Sequence, residues 1–295
     1  MCKGGKKMSK NKANGMILDV ERRQPKIKLV YMFIYAVLIL VSITILLPII
    51  WILLSSLKDT KEFLQVPPTL LPKNWDFGKF IDVWHKSAID TAYLSTIILV
   101  SGEVICSIVL NGLVGYALSR LKPKGSKLVF ICILWLMMIP HNLSMVPKFI
   151  SFIGLGLADS YLPFWMMAGC NLFHVLLFKD FFDTIPKALI EAARIDGCSE
   201  LGIFMKIVLP LSKPIVMTNA IFTFTGGWGE FLFPYLMIKD TAMQPIAIKL
   251  FTLKEVLPVD EYMVALILAI VPPLLVFCFL QKYVLDGMEA GGVKE

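Results

Sequence analysis

The stretch EAARIDGCSELGIFMKIVLP, Glu191–Pro210, lies between two long apolar segments and is unlike either. Three carboxylates, Arg194, Lys206, two glycines and a terminal proline interrupt an otherwise very hydrophobic chain. Within IPKALIEAARIDG, residues 185–197, Pro186 suits a first helical turn, and Ala188, Ala192 and Ala193 are strong helix formers. Gly197 falls where a left-handed C-cap is needed. The spacing predicts a short helix with a small-residue face of Ala188, Leu189, Ala192 and Ala193, and with Glu191 and Arg194 turned outward or toward a partner. Ser199 then caps a second helix, Glu200 to about Val208, which buries Ile203, Phe204 and Ile207 before Pro210 redirects the chain. A helix, a glycine turn and a helix with small side chains suit insertion into another protein's cleft, and they offer no chemistry.

The surrounding composition sets where this element sits. Of 295 residues, 57% are hydrophobic and 17% charged, and the mean hydropathy is +0.74. That is the composition of a membrane protein. The net charge of +7 is no argument for nucleic acid, because nine Lys/Arg against two acids fall within residues 1–28, a basic tail ahead of an apolar segment.

Six apolar segments follow, at about Leu29–Leu54, Ala92–Leu118, Leu128–Phe152, Tyr161–Leu177, Ile215–Ile238 and Tyr262–Leu280. The first, some 26 residues, reaches roughly 39 Å as helix and lacks the small-residue cleavage site of a secretory signal. An even number of spans returns both termini to one side. The connection RLKPKGSK, residues 120–127, carries Arg120, Lys122, Lys124 and Lys127 and no acid, which agrees with the basic tail on a cytoplasmic placement. The opposite loops are not positively biased: residues 58–91 hold five bases and five acids, and residues 239–261 hold three and four. The loop 179–213 is balanced, so its cytoplasmic placement rests on counting spans. Pro140 and Pro147 inside the third segment predict kinks or a break there.

Chemistry is not indicated. Cys2, Cys106, Cys132, Cys170, Cys198 and Cys278 are scattered singly, without C-x-x-C pairs or a histidine cluster, so neither a disulfide framework nor a metal site is expected. No G-x-S-x-G, H-E-x-x-H or G-x-x-x-x-G-K-[ST] occurs, so no catalytic residue is named and no P-loop binds ATP.

The order EAA, three residues, Gly197, nine residues, IVLP resembles the EAA loop of membrane subunits of binding-protein-dependent ABC importers. GYALSRLKPKG (115–125), IPHNLSMVP (139–147), GLGLADS (154–160), FTGGWGEFLFP (224–234) and QKYVLDGMEAGGVKE (281–295) look like the sugar-permease branch, in particular the smaller permease subunit of the maltose transporter. Departures are Gly229, where the family often has Asn, and Gly292 and Glu295 in the tail, where it has Ala and a final Gly.

The resemblance implies an all-α polytopic permease domain over residues 29–295. Residues 179–213 would be the coupling loop, docking into an ATPase through Glu191, Ala192, Ala193, Asp196, Gly197, Ile207, Leu209 and Pro210. It also implies a bacterial or archaeal cytoplasmic membrane, a homologous permease, two ATPase subunits that bind ATP and Mg, an extracytoplasmic solute-binding protein, and a sugar as solute.

The polar residues of the spans keep two readings each. Glu103, Asn111, Asn171, His174, Trp228 and Glu230 either line a passage or make contacts between helices. The carboxylates would be proton relays if the chain were instead an ion-coupled secondary transporter, but that reading leaves the EAA loop without a role. Lys148 is the one Lys or Arg within the last five segments. An anionic solute would need desolvated cations along its path, whereas a neutral sugar needs hydrogen bonds and aromatic faces, so the expected solute is neutral.

Overall fold

The computed structural model describes residues 25–292. The basic tail up to residue 24, including Cys2, and the last three residues, including Glu295, lie outside the described residues. Every regular element among the described residues is helical.

Helix α1, Pro25–Ser56, starts on proline, whose fixed φ is preformed for a first turn, and so begins four residues before the expected span. Its membrane-spanning part, Lys28–Ser56, is about 44 Å long. Its residues are apolar along most of its length, the composition of a helix that crosses lipid.

In the unit from residue 55 onward, a short helix α2, Gly78–Lys86, precedes the central helix α3, Ile89–Leu121. Helices α4, Ser126–Met137, and α5, Met145–Gly154, follow, then α6, Leu162–Gly169, and α7, Leu172–Thr184. The surface element comprises α8, Lys187–Ile195, and α9, Glu200–Leu211. The chain ends with α10, Lys213–Gly229, α11, Leu232–Met237, α12, Ile246–Val256, and α13, Val259–Gly292.

Helices α1, α3 and α13 are each long and apolar enough to cross a bilayer, and three bent helix pairs complete up to six crossings. The proline-bearing third span is broken as expected, its halves meeting at 93°. The 84° bend between α9 and α10 is where the chain leaves the surface element, as expected near Pro210, whereas the 41° bend between α6 and α7 goes beyond the expectation. Non-helical backbone at such depth must be satisfied by protein or by water in a cavity. The fourth span's break is satisfied by protein: Asn171 caps α7 by accepting from the His174 amide at 3.2 Å, and Asn111 Oδ1 accepts from the Asn171 amide at 3.1 Å.

Helix α3 packs against α6, α10 and α12, and α10 packs on α13. Glycines set the closest approaches. A Cβ on Gly115 would stand 2.8 Å from Phe178 Cβ and 3.0 Å from the Lys179 backbone nitrogen, so α3 and α7 meet backbone to side-chain root. At the end away from the surface element, Lys79 pairs with Asp260 at 2.8 Å and Lys86 with Glu261 at 2.8 Å. Part of the charge in the balanced loops is therefore spent on ion pairs between them.

Candidate functional site

The surface element is built from the turn outward. Helix α8 ends at Asp196, and Gly197 follows with φ +80°. The Cys198 amide donates to Ala193 O and the Gly197 amide to Arg194 O, both at 3.0 Å, which is the paired bonding of a Schellman cap. Ser199 caps α9, its Oγ accepting from the Gly202 amide at 3.2 Å. Pro186 is the N-cap residue of α8 and lies just outside the first turn predicted for it.

Two expectations for this element change. Ala193 is only 6% exposed and faces the core with Ile190, so the presented surface is Ala188, Leu189, Ala192 and Ile195, joined by Leu201 and Met205 of α9. Arg194 is turned outward together with Glu191, as expected, and it finds a partner within the element. Its Nε donates to Glu200 Oε1 at 2.6 Å, and Tyr116 of α3 donates to Glu200 Oε2 at 2.8 Å. The chain also passes through Pro210 without turning, because a π-helical turn at Phe204–Val208 accommodates the missing donor, and the 84° bend falls at Ser212. Ser212 stabilises that bend by donating to Val208 O at 2.7 Å.

The element is bonded to the spans mainly by apolar burial. Ile190, Ala193, Ile203, Phe204 and Val208 form one core with Tyr116, Phe178, Phe182 and Ile215, and Ile207 and Leu209 pack on its edge. Fully buried side chains of this size stabilise by about 1.5–3 kcal/mol each. The half-exposed Arg194–Glu200 pair is worth at most about 1 kcal/mol, so it orients the turn and the core holds it. Arg194 holds the Glu200 carboxyl below its usual range by donating to it. Among the expected docking residues, Glu191, Ala192, Asp196, Gly197 and Pro210 are exposed, while Ala193, Ile207 and Leu209 tie the element to the spans.

The second feature is a cavity of about 460 Å³ at membrane depth, lined by Glu103, Lys148, Asn171, His174 and Glu230 with Phe164, Phe222 and Phe233 among the apolar walls. Glycines make it possible. A Cβ on Gly227 would fall 2.0 Å from Glu103 Oε2, so the carboxylate of α3 occupies the slot that this glycine leaves in α10. Behind the wall lies a polar cluster. Asn111 Nδ2 donates to Ser107 Oγ at 3.0 Å, Ser107 donates to Asn219 Oδ1 at 3.1 Å, and Ser107 Oγ lies 3.0 Å from His174 Nδ1.

Four of the expected lining residues, Glu103, Asn171, His174 and Glu230, therefore reach one cavity. Trp228 does not: it is buried, stacks on Phe224, and donates to Ala269 O at 3.0 Å, so it joins α10 to α13. Asn111 is also fully buried and holds the broken span. Ser107, Asn219 and Thr223 were missed by the sequence reading. Their signal was present as polar residues four apart in apolar helices, Ser107 with Asn111 and Asn219 with Thr223, which points to contacts between helices.

Comparison with known proteins locates this architecture. Residues 107–289 match the family described as binding-protein-dependent transport system inner membrane component. The arabinooligosaccharides transport system permease protein AraQ of Bacillus subtilis (strain 168) is 29% identical over 278 residues, covering 92% of this chain and 99% of that one. The polygalacturonan/rhamnogalacturonan transport system permease protein YtcP of the same organism is 31% identical over 294 residues, covering 91% and 99%. Among solved structures, a chain of a bacterial ABC transporter involved in the import of the acidic polysaccharide alginate superposes with a TM-score of 0.76 at 24% identity, covering 92% of this chain and 99% of that one.

Proposed function

The chain belongs to the family of binding-protein-dependent transport system inner membrane components, and on that premise we propose that it forms one half of a passage for a neutral sugar or oligosaccharide. It is the permease subunit of an ABC importer, with ATP hydrolysis on a separate subunit and a substrate-binding protein as a further partner. In the proposed assembly a homologous permease supplies the other half, two ATPase subunits carry ATP and Mg, and α8 and α9 take up ATPase closure. The membrane is the cytoplasmic membrane of a bacterium or archaeon, with both termini and the coupling loop on its inner face.

The observation that carries the solute reading is the cavity at membrane depth. Two carboxylates, two amides, an imidazole and three phenylalanines offer acceptors, donors and apolar faces, the chemistry of sugar hydroxyls and ring carbons. The relatives named above serve arabinooligosaccharides and polygalacturonan or rhamnogalacturonan, and the solved importer serves the acidic polysaccharide alginate, so they support a saccharide solute and its neutrality rests on the cavity alone. Two carboxylates against the single ammonium of Lys148 favour a neutral solute over an anionic one, since an unpaired anion in a low-dielectric passage costs several kcal/mol. Ion-coupled transport through Glu103 and Glu230 would leave the surface element without a role.

Uptake by proteoliposomes containing the full complex, with a panel of neutral, acidic and phosphorylated sugars in competition, tests the reading. Neutral sugars should compete best. Preference for a phosphorylated or acidic solute over every neutral one would refute it.

A further inference from the structure

A smaller cleft, about 170 Å³, lies where α3 ends against α8, and the coupling role does not account for it. Ser119, Arg120 and Lys122 line it from α3 and the residue just after it, and Lys187, Ile190, Glu191 and Arg194 from α8. Four cations thus face one another across the cleft with Glu191 as the only carboxylate on its wall. The nearby Asp183 is already engaged, accepting from Ser119 Oγ at 2.7 Å and pairing with Lys179 at 2.9 Å. Arg194 is committed to Glu200.

Arg120 is held in place rather than neutralised. Its Nη2 donates to the carbonyls of Phe182 and Ile185, and its Nε is buried with no protein acceptor. Lys122 is fixed at the cleft by a left-handed backbone, φ +45°, and its amide closes the last turn of α3 on Ala117 O at 2.8 Å. Like charges gathered at the end of a membrane span repel one another unless an anion sits between them. Clusters of Lys and Arg just beyond the end of a span are a recognised setting for anionic headgroups.

We propose that this cleft binds a phosphate-bearing anion, bridging the end of α3 to the coupling helix α8. Arg120 supplies a preoriented donor, Lys122 and Lys187 supply mobile ammonium groups, and the Ser119 hydroxyl completes the lining. The same chemistry is offered by the headgroup of an anionic phospholipid and by free phosphate. An occupant ties the span to the docking helix through charge as well as through the apolar core.

The test uses the assembled importer in nanodiscs, either of phosphatidylcholine alone or with added phosphatidylglycerol. Native mass spectrometry counts retained phosphatidylglycerol, and phosphorus NMR follows inorganic phosphate added to the phosphatidylcholine discs. The variant combines Lys122→Asn, which keeps a residue tolerant of the left-handed backbone, with Lys187→Gln. Binding at the cleft should fall at least about tenfold in this variant and return with Lys187→Arg. Loss of lipid retention identifies a headgroup as the occupant, and loss of a phosphate-dependent shift identifies free phosphate. Lipid retention and phosphate binding both unchanged in the double variant would overturn the assignment.

Discussion

Replacing Gly197 by valine separates backbone strain from steric exclusion, because a Cβ at this position meets nothing within 4 Å. The only penalty is conformational. At φ +80° an L-residue costs about 1–2 kcal/mol, and branching at Cβ brings that to roughly 2–3 kcal/mol. At about 1.4 kcal/mol per tenfold, the native turn becomes roughly thirtyfold or more less favoured against other geometries. Relaxation of φ breaks the two bonds to Ala193 O and Arg194 O and frays the last turn of α8, which displaces Ile195 and Asp196 from the docking surface. Ile190 and Ala193 remain buried, so the chain still inserts and assembles. The assay is ATP hydrolysis by the reconstituted complex, with and without loaded binding protein. Stimulation should be lost in Gly197→Val, weakened in Gly197→Ala and largely kept in Gly197→Asn, since asparagine tolerates the left-handed region. Full stimulation in the valine variant, or an asparagine variant as poor as valine, would refute the strain argument.

Trp228→Phe should raise the KM for uptake little, because the ring lies outside the cavity, while losing about 1 kcal/mol of stability with its buried hydrogen bond to Ala269 O; thermal unfolding and uptake kinetics measured together check this. At Glu200 an asymmetry is expected: Glu200→Ala strands the buried Tyr116 hydroxyl and costs about 1–2 kcal/mol, whereas Tyr116→Phe removes donor and need together and costs less. Hydrogen exchange over residues 198–204 ranks the two. The Glu200 carboxyl is held below its usual range by Arg194, so its contribution is complete above the ordinary glutamate pKa and is lost only as pH falls through the lower folded value. Exchange in this turn should therefore stay flat, after correction for intrinsic rates, from neutral pH down to the ordinary glutamate range. Exposed Cys198 should react with an impermeant thiol reagent from the cytoplasmic face and a cysteine at Lys73 from the outer face; labelling of both from one side would contradict six crossings.

Much of the fold was legible in the chain itself, because crossing a bilayer imposes length and hydropathy on contiguous residues. The apolar segments, the broken third span at Pro140 and the two short helices around Gly197 all follow from local rules: helix length, missing donors and the φ that only glycine adopts cheaply. The cap at Ser199 was local too, a side chain and an amide three residues apart.

Which face of each helix does what was decided by packing. Ala192 and Ala193 are adjacent and chemically identical, yet one is exposed and the other buried, because the rotation of α8 is set by Ile190, Ile203 and Phe204 closing on Phe178 and Phe182. Likewise Trp228 and Glu230 are two residues apart, and the helix ends between them, sending the indole to α13 and the carboxylate to the cavity. The partnership of Glu103 with Gly227 spans two helices distant in sequence, where the absence of a side chain is read only from what fills its place. A chain can state its own hydropathy, caps and turns, since these are energies between near neighbours. The rotation of one helix against another is an energy between residues far apart, and it exists only once the bundle has closed.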